Sequence, residues 1–249
     1  MTDIQGKTAL VAGGSKGLGR GVVEALVQAG AEVVALARDE TALTSLAREV
    51  AGVRTYVGDV ADPATAERAL REIRPDILVL AAGATPHMAP VQEQSWEQFS
   101  RVWNTDVRAA FEFGKQALGL PLAPGSTVIV VSSGAAIGGS PLSGGYSGAK
   151  RMQWFLSGFL QQEAAARDLG IRFLALLPKQ IVGETALGHA AATGYAERQG
   201  ITKAAFLERF GAPLTPALFG QGVLDLLTEP AYAEGLAFGI TGQGLEALD

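Results

Sequence analysis

The 249-residue sequence contains no cysteine, which removes disulfides, thiolate nucleophiles and thiolate metal sites together. That absence fits a reducing compartment, and a cytoplasmic protein is expected. Histidine is nearly absent too. His87 and His189 are the only two, neither belongs to a spaced His/Asp/Glu cluster, and no metal site is expected. No apolar run approaches the roughly eighteen residues of a membrane-spanning helix. The opening MTDIQGKTALVAGG shows no basic, apolar, small-residue leader, so no membrane partner is expected. Basic residues are scattered and outnumbered, at a net charge of −5, which points away from nucleic acid. No Pro/Ser-rich linker, charge block or low-complexity run divides the chain, so a single domain over 1–249 is expected.

Glycine, by contrast, is abundant and sits at the ends of elements. Short apolar runs at 8–13, 32–37, 53–60, 76–83, 126–133, 171–178 and 236–241 read as strands, separated by longer helical patterns. Two of those patterns, about 95–120 and 145–169, are long helices. Asp62 is placed to cap the helix that begins at Pro63, the residue best suited to a first helical position. Apolar strands alternating with helices predict an α/β protein: a Rossmann-like, doubly wound sheet of about seven parallel strands with helices on both faces. Ligands of such sheets bind beyond the carboxyl ends of the strands.

The first strand ends in AGGSKGLG, with Gly13, Gly17 and Gly19 between strand and helix. Glycines there permit a tight turn and let Ser15, Lys16, Leu18 and the helix N-terminus approach a diphosphate. A βα turn also carries glycine for steric reasons alone. At the end of the second strand, Ala37 stands where an acid would accept from a ribose 2′-hydroxyl, and Arg38 follows. Arg38 and Lys16 together favour a 2′-phosphate, hence NADP(H) as cofactor, although each alone could be a solvated surface cation. Asp39 could pair with Arg38. Asp59, with Val60 at the end of the third strand, could accept from an adenine amino group.

YSGAK places Tyr146 and Lys150 four apart on one helix face. A phenol titrates near pH 10, and a neighbouring cation makes it a better proton donor and acceptor at neutral pH. Ser133 lies thirteen residues earlier at a strand end, where its hydroxyl could polarise a substrate oxygen. Y-x-x-x-K alone is common by chance; with a strand-end serine and the glycine turn it is far more specific.

On these residues the sequence resembles the short-chain dehydrogenase/reductase family, from Lys7 to about Gly242. The anchors are Gly13, Gly17, Gly19, Asp59-Val60, Ala82-Gly83, Ser133, Tyr146, Lys150 and Pro178, with Ile181 in a place usually held by Val. The resemblance implies a nicotinamide cofactor and hydride transfer to or from a carbonyl or alcohol carbon. Tyr146 would be the acid/base, Ser133 the carbonyl orienter and Lys150 the holder of the cofactor. It implies a homodimer or homotetramer, often built from the two long helices. Departures are Ala12 for Thr, Leu80-Ala81 for two asparagines, and Pro178-Lys179 for Pro-Gly. A Thr usually beside the nicotinamide carboxamide is replaced by Gly183, with Thr185 two residues on. Lys179 brings a cation near substrate or diphosphate, or snorkels to solvent.

The family's fourth catalytic residue is an asparagine whose main-chain carbonyl holds a water linking the lysine to solvent. RVWNTDVRAAF offers Asn104 and Asp106. With Trp96 and Phe111 in the flanking apolar places, Asp106 takes that position, and residues two apart on a helix point about 200° apart. An ionised Asp106 would stabilise the Lys150 cation and oppose ionisation of Tyr146, and is expected to alter the pH profile.

The loops at Thr85–Met88 and 140–145 should edge the substrate pocket, and 183–212 forms a lid region. Few charges there suggest a small, neutral carbonyl or alcohol substrate; an acyl-carrier thioester is also possible. The alternative is a non-catalytic NADP-binding regulator or scaffold on the same fold, against which the retained Ser133, Tyr146 and Lys150 argue.

Overall fold

The computed structural model describes residues 4–248, so the ends of the expected 1–249 domain lie outside the described residues. In chain order it forms β1 (Thr8–Ala12), α1 (Gly17–Gln28), β2 (Glu32–Ala37), α2 (Glu40–Glu49), β3 (Arg54–Val57), α3 (Pro63–Ile73) and β4 (Ile77–Leu80). Next come α4 (Trp96–Val102), a π-helical segment (Trp103–Val107), α5 (Arg108–Gly119), β5 (Thr127–Val131), α6 (Ala135–Gly138), α7 (Gly144–Ala166) and β6 (Arg172–Pro178). The chain closes with α8 (Ala186–Gln199), α9 (Lys203–Glu208), α10 (Pro216–Thr228), β7 (Ala237–Thr241) and β8 (Gly244–Ala247).

The strands form one sheet in the order β3-β2-β1-β4-β5-β6-β7-β8, parallel except for β8, which runs antiparallel to β7. The eighth strand extends the expected seven. Its short GLEA stretch is largely exposed at the sheet edge and carries no apolar run that would mark a strand. β3, expected to be buried, is the opposite edge and its Arg54, Thr55 and Val57 face solvent. The neighbours of β1 are β2 and β4, so strand order reverses between β1 and β4 and opens a crevice at their carboxyl ends.

Side chains alternate between two cores. Ala9 and Val11 of β1, Ala35, Val79, Ile129, Leu174 and Leu176 pack with α1, α2 and α10. Leu10 and Ala12 of the same strand, with Leu36, Leu78, Val128 and Phe173, pack with α3, α5 and α7. This period of two on strands covered on both faces accounts for the continuous apolar runs in the sequence. Caps fall where polarity allows: Asp62 accepts from Ala64, with Pro63 in the first turn, and Ser95 forms a capping box with Gln98. The expected 95–120 helix is therefore real in extent but broken by a π-turn at its centre. No helix among the described residues is long and apolar enough to cross a membrane.

Helices α1 and α10 touch backbone to backbone. A Cβ at Gly220 would stand 2.1 Å from the Gly21 carbonyl oxygen. Gly220→Ala should therefore force the helices apart and cost about 3 kcal/mol in urea unfolding; an unchanged midpoint would show that the crossing is slack.

Candidate active site

The glycine turn is shaped by a close crossing. Gly13 has φ +87°, and a Cβ there would lie 2.5 Å from the Ala82 backbone nitrogen; one on Gly19 would lie 2.2 Å from the Gly13 carbonyl. Only glycine lets the ends of β1 and β4 meet above the start of α1. The α1 N-cap, Lys16, makes no side-chain capping bond, so the first-turn N–H groups are left to a ligand or solvent.

Both expected phosphate cations are paired. Lys16 Nζ lies 2.5 Å from Asp39 Oδ2, and Arg38 Nη1 lies 3.7 Å from Asp59 Oδ2. Asp39 thus takes Lys16 rather than Arg38, because its other oxygen is fixed by the Ala42 N–H at the cap of α2. The Lys16 and Ala42 contacts hold the Asp39 carboxyl below its usual range. Asp59 also accepts from the Ala61 N–H, and Val60 is buried in the core beside α3.

The other end of the site is built on α7. A Cβ at Gly145 would stand 1.9 Å from the Phe99 carbonyl, so α4 lies directly on the helix start that carries Tyr146. Ser132 Oγ donates to the Lys150 carbonyl at 2.7 Å and ties α7 to the end of β5. Ser133, the next residue, accepts from the Ala135 N–H at 3.2 Å.

Asp106 is fully buried in the π segment while Asn104 is exposed, so the two candidates do face opposite ways. Asp106 Oδ1 accepts from the Ala84 N–H at 2.8 Å. Its Oδ2 sits 3.0 Å from Lys150 Nζ, close but without the alignment of a directed hydrogen bond. Gly83 makes room for this carboxylate: a Cβ there would lie 2.8 Å from Oδ2. Lys150 Nζ also donates to Val131 O at 3.2 Å and to Gln153 Oε1 at 2.8 Å, and lies 5.5 Å from the centre of the Tyr146 ring. Burial alone would pull the Lys150 ammonium down. The Asp106 charge, the Tyr146 oxygen and the contact with the carboxylate outweigh it and hold Lys150 above the ordinary lysine value of 10.5.

Gln153 was not singled out by sequence. Its one signal is its place three after Lys150, on the same helix face. It also donates to the Asp106 main-chain carbonyl at 3.0 Å, the atom to which the family resemblance assigns a water.

One cleft of about 490 Å³ is lined by Lys16, Gly17, Leu18 and Gly19 at one end and by Ser133, Tyr146 and Lys150 in the middle. Gly83, Pro178, Lys179, Ile181 and Thr185 also line it. Gly13, Ser15, Arg38, Asp59, Val60 and Ala82 are not among its lining residues; they sit at or beside the ends of β1 to β4. Lys179 pairs with Glu246 on β8, a partner brought to it only by the edge strand. Thr185 caps α8 and would touch a Cβ on Gly17 at 3.3 Å. The stretch expected to form a lid carries α8 and α9, whose Ala192, Ala196 and Phe206 pack together; Tyr195 hydrogen-bonds Ser140, and both line the cleft. His87 and His189 edge one shallow groove with Glu197. Among the described residues no group of three His, Cys, Asp or Glu side chains is placed to hold a metal.

A family model described as short chain dehydrogenase matches residues 7–195. The chain belongs to this family of oxidoreductases. Relatives include the L-xylulose reductase of Bos taurus, 34% identical over 129 residues that cover 52% of this chain and 53% of that protein. Carbonyl reductase (NADPH) 2 of Sus scrofa is 36% identical over 110 residues, covering 44% and 45%. The chain thus spans about half the length of the curated relatives it matches. A solved 3-ketoacyl-(acyl-carrier-protein) reductase from Brucella melitensis, complexed with NADH, is similar in fold, with a TM-score of 0.78, 23% identity, and 96% and 98% of the two chains covered.

Asp106→Asn sets an amide N–H against either the Lys150 ammonium or the Ala84 N–H, whichever way it turns. It should cost about 3 kcal/mol at neutral pH. Because Lys150 is raised in the folded state, the pair's stabilisation is fully present below the ordinary lysine value and is lost as pH rises through the raised one. The deficit measured by urea unfolding should therefore shrink in the strongly alkaline range; a constant deficit would mean that Asp106 contributes only packing.

Proposed function

We propose that the protein is an NADP(H)-dependent oxidoreductase that interconverts a small carbonyl compound and its alcohol. The observation that carries this reading is the single cleft joining the glycine turn to Ser133, Tyr146 and Lys150. The close-packed glycines, the uncapped start of α1 and the cations Lys16 and Arg38 fit a dinucleotide with a 2′-phosphate. Asp39 and Asp59 hold those cations in its place, and a phosphate with more charge and more acceptors displaces them. The Brucella melitensis reductase of similar fold is complexed with NADH, so the preference proposed here rests on Arg38 and Lys16 alone.

The glycine turn, Lys150 and Ile181 would hold a nicotinamide cofactor, which when bound would supply or take up the hydride at the carbonyl carbon. Tyr146 delivers the proton to the oxygen as the C–O double bond becomes single, or takes it back in the reverse direction. Ser133 hydrogen-bonds the same oxygen. Lys150, held cationic at neutral pH, favours the phenolate that Tyr146 leaves behind. Met88, Leu187, Ala191 and Phe206 line the cleft beside the hydroxyls of Ser140 and Tyr195, and its lining lysines Lys16, Lys150 and Lys179 are each paired with a carboxylate, which suits a neutral substrate. The mouth lies under α8 and α9, which we read as a lid. We place the protein in the cytoplasm, as a homodimer or homotetramer. Self-association is supported by Trp103 and Phe111 on one long helix and Phe155 and Phe159 on the other, all left exposed.

NADPH oxidation with a panel of ketones and diketones tests the reading. Turnover is expected with at least one, and Tyr146→Phe should lower it about 10²- to 10⁴-fold. NADPH binding without turnover on any compound would replace the enzyme with a cofactor-binding regulator. Arg38→Ser should reduce the NADPH-over-NADH ratio of kcat/KM about 10- to 100-fold, the value of a charge-assisted bond; an unmoved ratio would remove Arg38 from cofactor choice.

A further inference from the structure

Gln153 has no part in the reaction just described, yet it is only 1% exposed and both ends of its amide are engaged. Oε1 accepts from the Lys150 ammonium at 2.8 Å, and Nε2 donates to the Asp106 carbonyl at 3.0 Å. These partners fix its orientation. An ammonium offers only protons and a carbonyl only lone pairs, so a flipped amide would oppose both. Asp106 from the π segment and Tyr146 from α7 are the titratable groups acting on Lys150; β5 presents the neutral Val131 carbonyl. Two directed bonds and one ion contact thus account for the three N–H groups of the ammonium.

We propose that Gln153 is a positioning residue: its amide replaces the water that the family resemblance assigns to the Asp106 carbonyl, and clamps Lys150 between Asp106 and Val131. The inference rests on reading Lys150 as the partner of Tyr146. Its consequence is a change in proton traffic. A water joining the carbonyl to the ammonium accepts one proton and releases another. An amide joining the same atoms holds its N–H protons at neutral pH and passes none on. The proton consumed at Tyr146 is therefore returned from the cleft, which the phenol lines together with Ser133 and Ser140. It does not return through the helix that carries Asp106.

The test compares Gln153→Met, which keeps length and volume but removes both polar ends, with Gln153→Ser, which leaves room for water. The first readout is hydrogen exchange of the Lys150 side-chain ammonium by nitrogen-15 NMR of the whole protein, assigned by its loss in Lys150→Arg. Exchange at least tenfold faster in both variants is expected; exchange unchanged from the parent overturns the clamp. The second readout is kinetic. Gln153→Met should lower kcat about tenfold while the ketone KM stays within threefold. Gln153→Ser should recover part of that loss, with a pH–rate profile and a solvent deuterium isotope effect on kcat that differ from the parent. Parent-like profiles in Gln153→Ser would overturn the change of proton route. Should Gln153→Met fail to fold, Gln153→Ser carries both readouts. A parent protein that turns over no carbonyl compound would refute the oxidoreductase reading, while the ammonium exchange would still decide whether Gln153 holds Lys150.

Discussion

A buried ammonium and a buried carboxylate hold the centre of this protein together. Lys150 is 5% exposed and Asp106 not at all, and their charged atoms lie 3.0 Å apart. Neither could stay charged there alone, since an isolated ion in a protein interior is far too costly. Each therefore dictates the placement of what surrounds it. Asp106 needs the Ala84 N–H, which fixes the chain after β4, and the space left by Gly83. Lys150 needs the Val131 carbonyl, which fixes the end of β5, and Gln153 on its own helix. Ser133 and Tyr146 are carried on the elements that this pair joins, so the geometry of the cleft follows from satisfying one buried ion pair.

The π-turn at Trp103–Val107 belongs to the same constraint. An extra residue in a helical turn changes the angle at which following side chains project. Here the segment puts Asp106 into the interior while Trp103 and Asn104 remain outside. The side-chain hydroxyl of Thr105 bonds back to the Arg101 carbonyl at 3.2 Å, a bond known to bend helices. Two ion pairs beside the glycine turn, Lys16–Asp39 and Arg38–Asp59, differ in kind: they are exposed, contribute little to stability and are free to exchange partners. The cleft thus has a rigid end around Lys150 and an adjustable end at the glycine turn, the ends to which the proposed function assigns the chemistry and the phosphate.

Much of this was legible in the sequence because its cause is local. Strands covered on both faces leave continuous apolar runs, and Asp62-Pro63 and Ser95 announce helix starts through their own side chains. Tyr146 and Lys150 share a face by spacing alone, and register separated Asp106 from Asn104. What stayed hidden depends on contacts distant in sequence. Glu246 meets Lys179 only through an edge strand too short and polar to show an alternating pattern. Asp39 chose Lys16 over the adjacent Arg38 because its cap geometry aims it there. Gln153 is silent in the sequence because a single glutamine on a long helix looks the same whether it faces solvent or bridges two buried groups.

Asp106 and Lys150 act as one unit. The most direct measurement is a double-mutant cycle on unfolding free energy with Asp106→Leu, Lys150→Met and both together. Each single change strands one buried charge, whereas the pair of changes strands none, so the double variant should be far less destabilised than the sum, with a coupling of about 3 kcal/mol. Costs that add to within about 0.5 kcal/mol would contradict the account, because independent sites behave in that way.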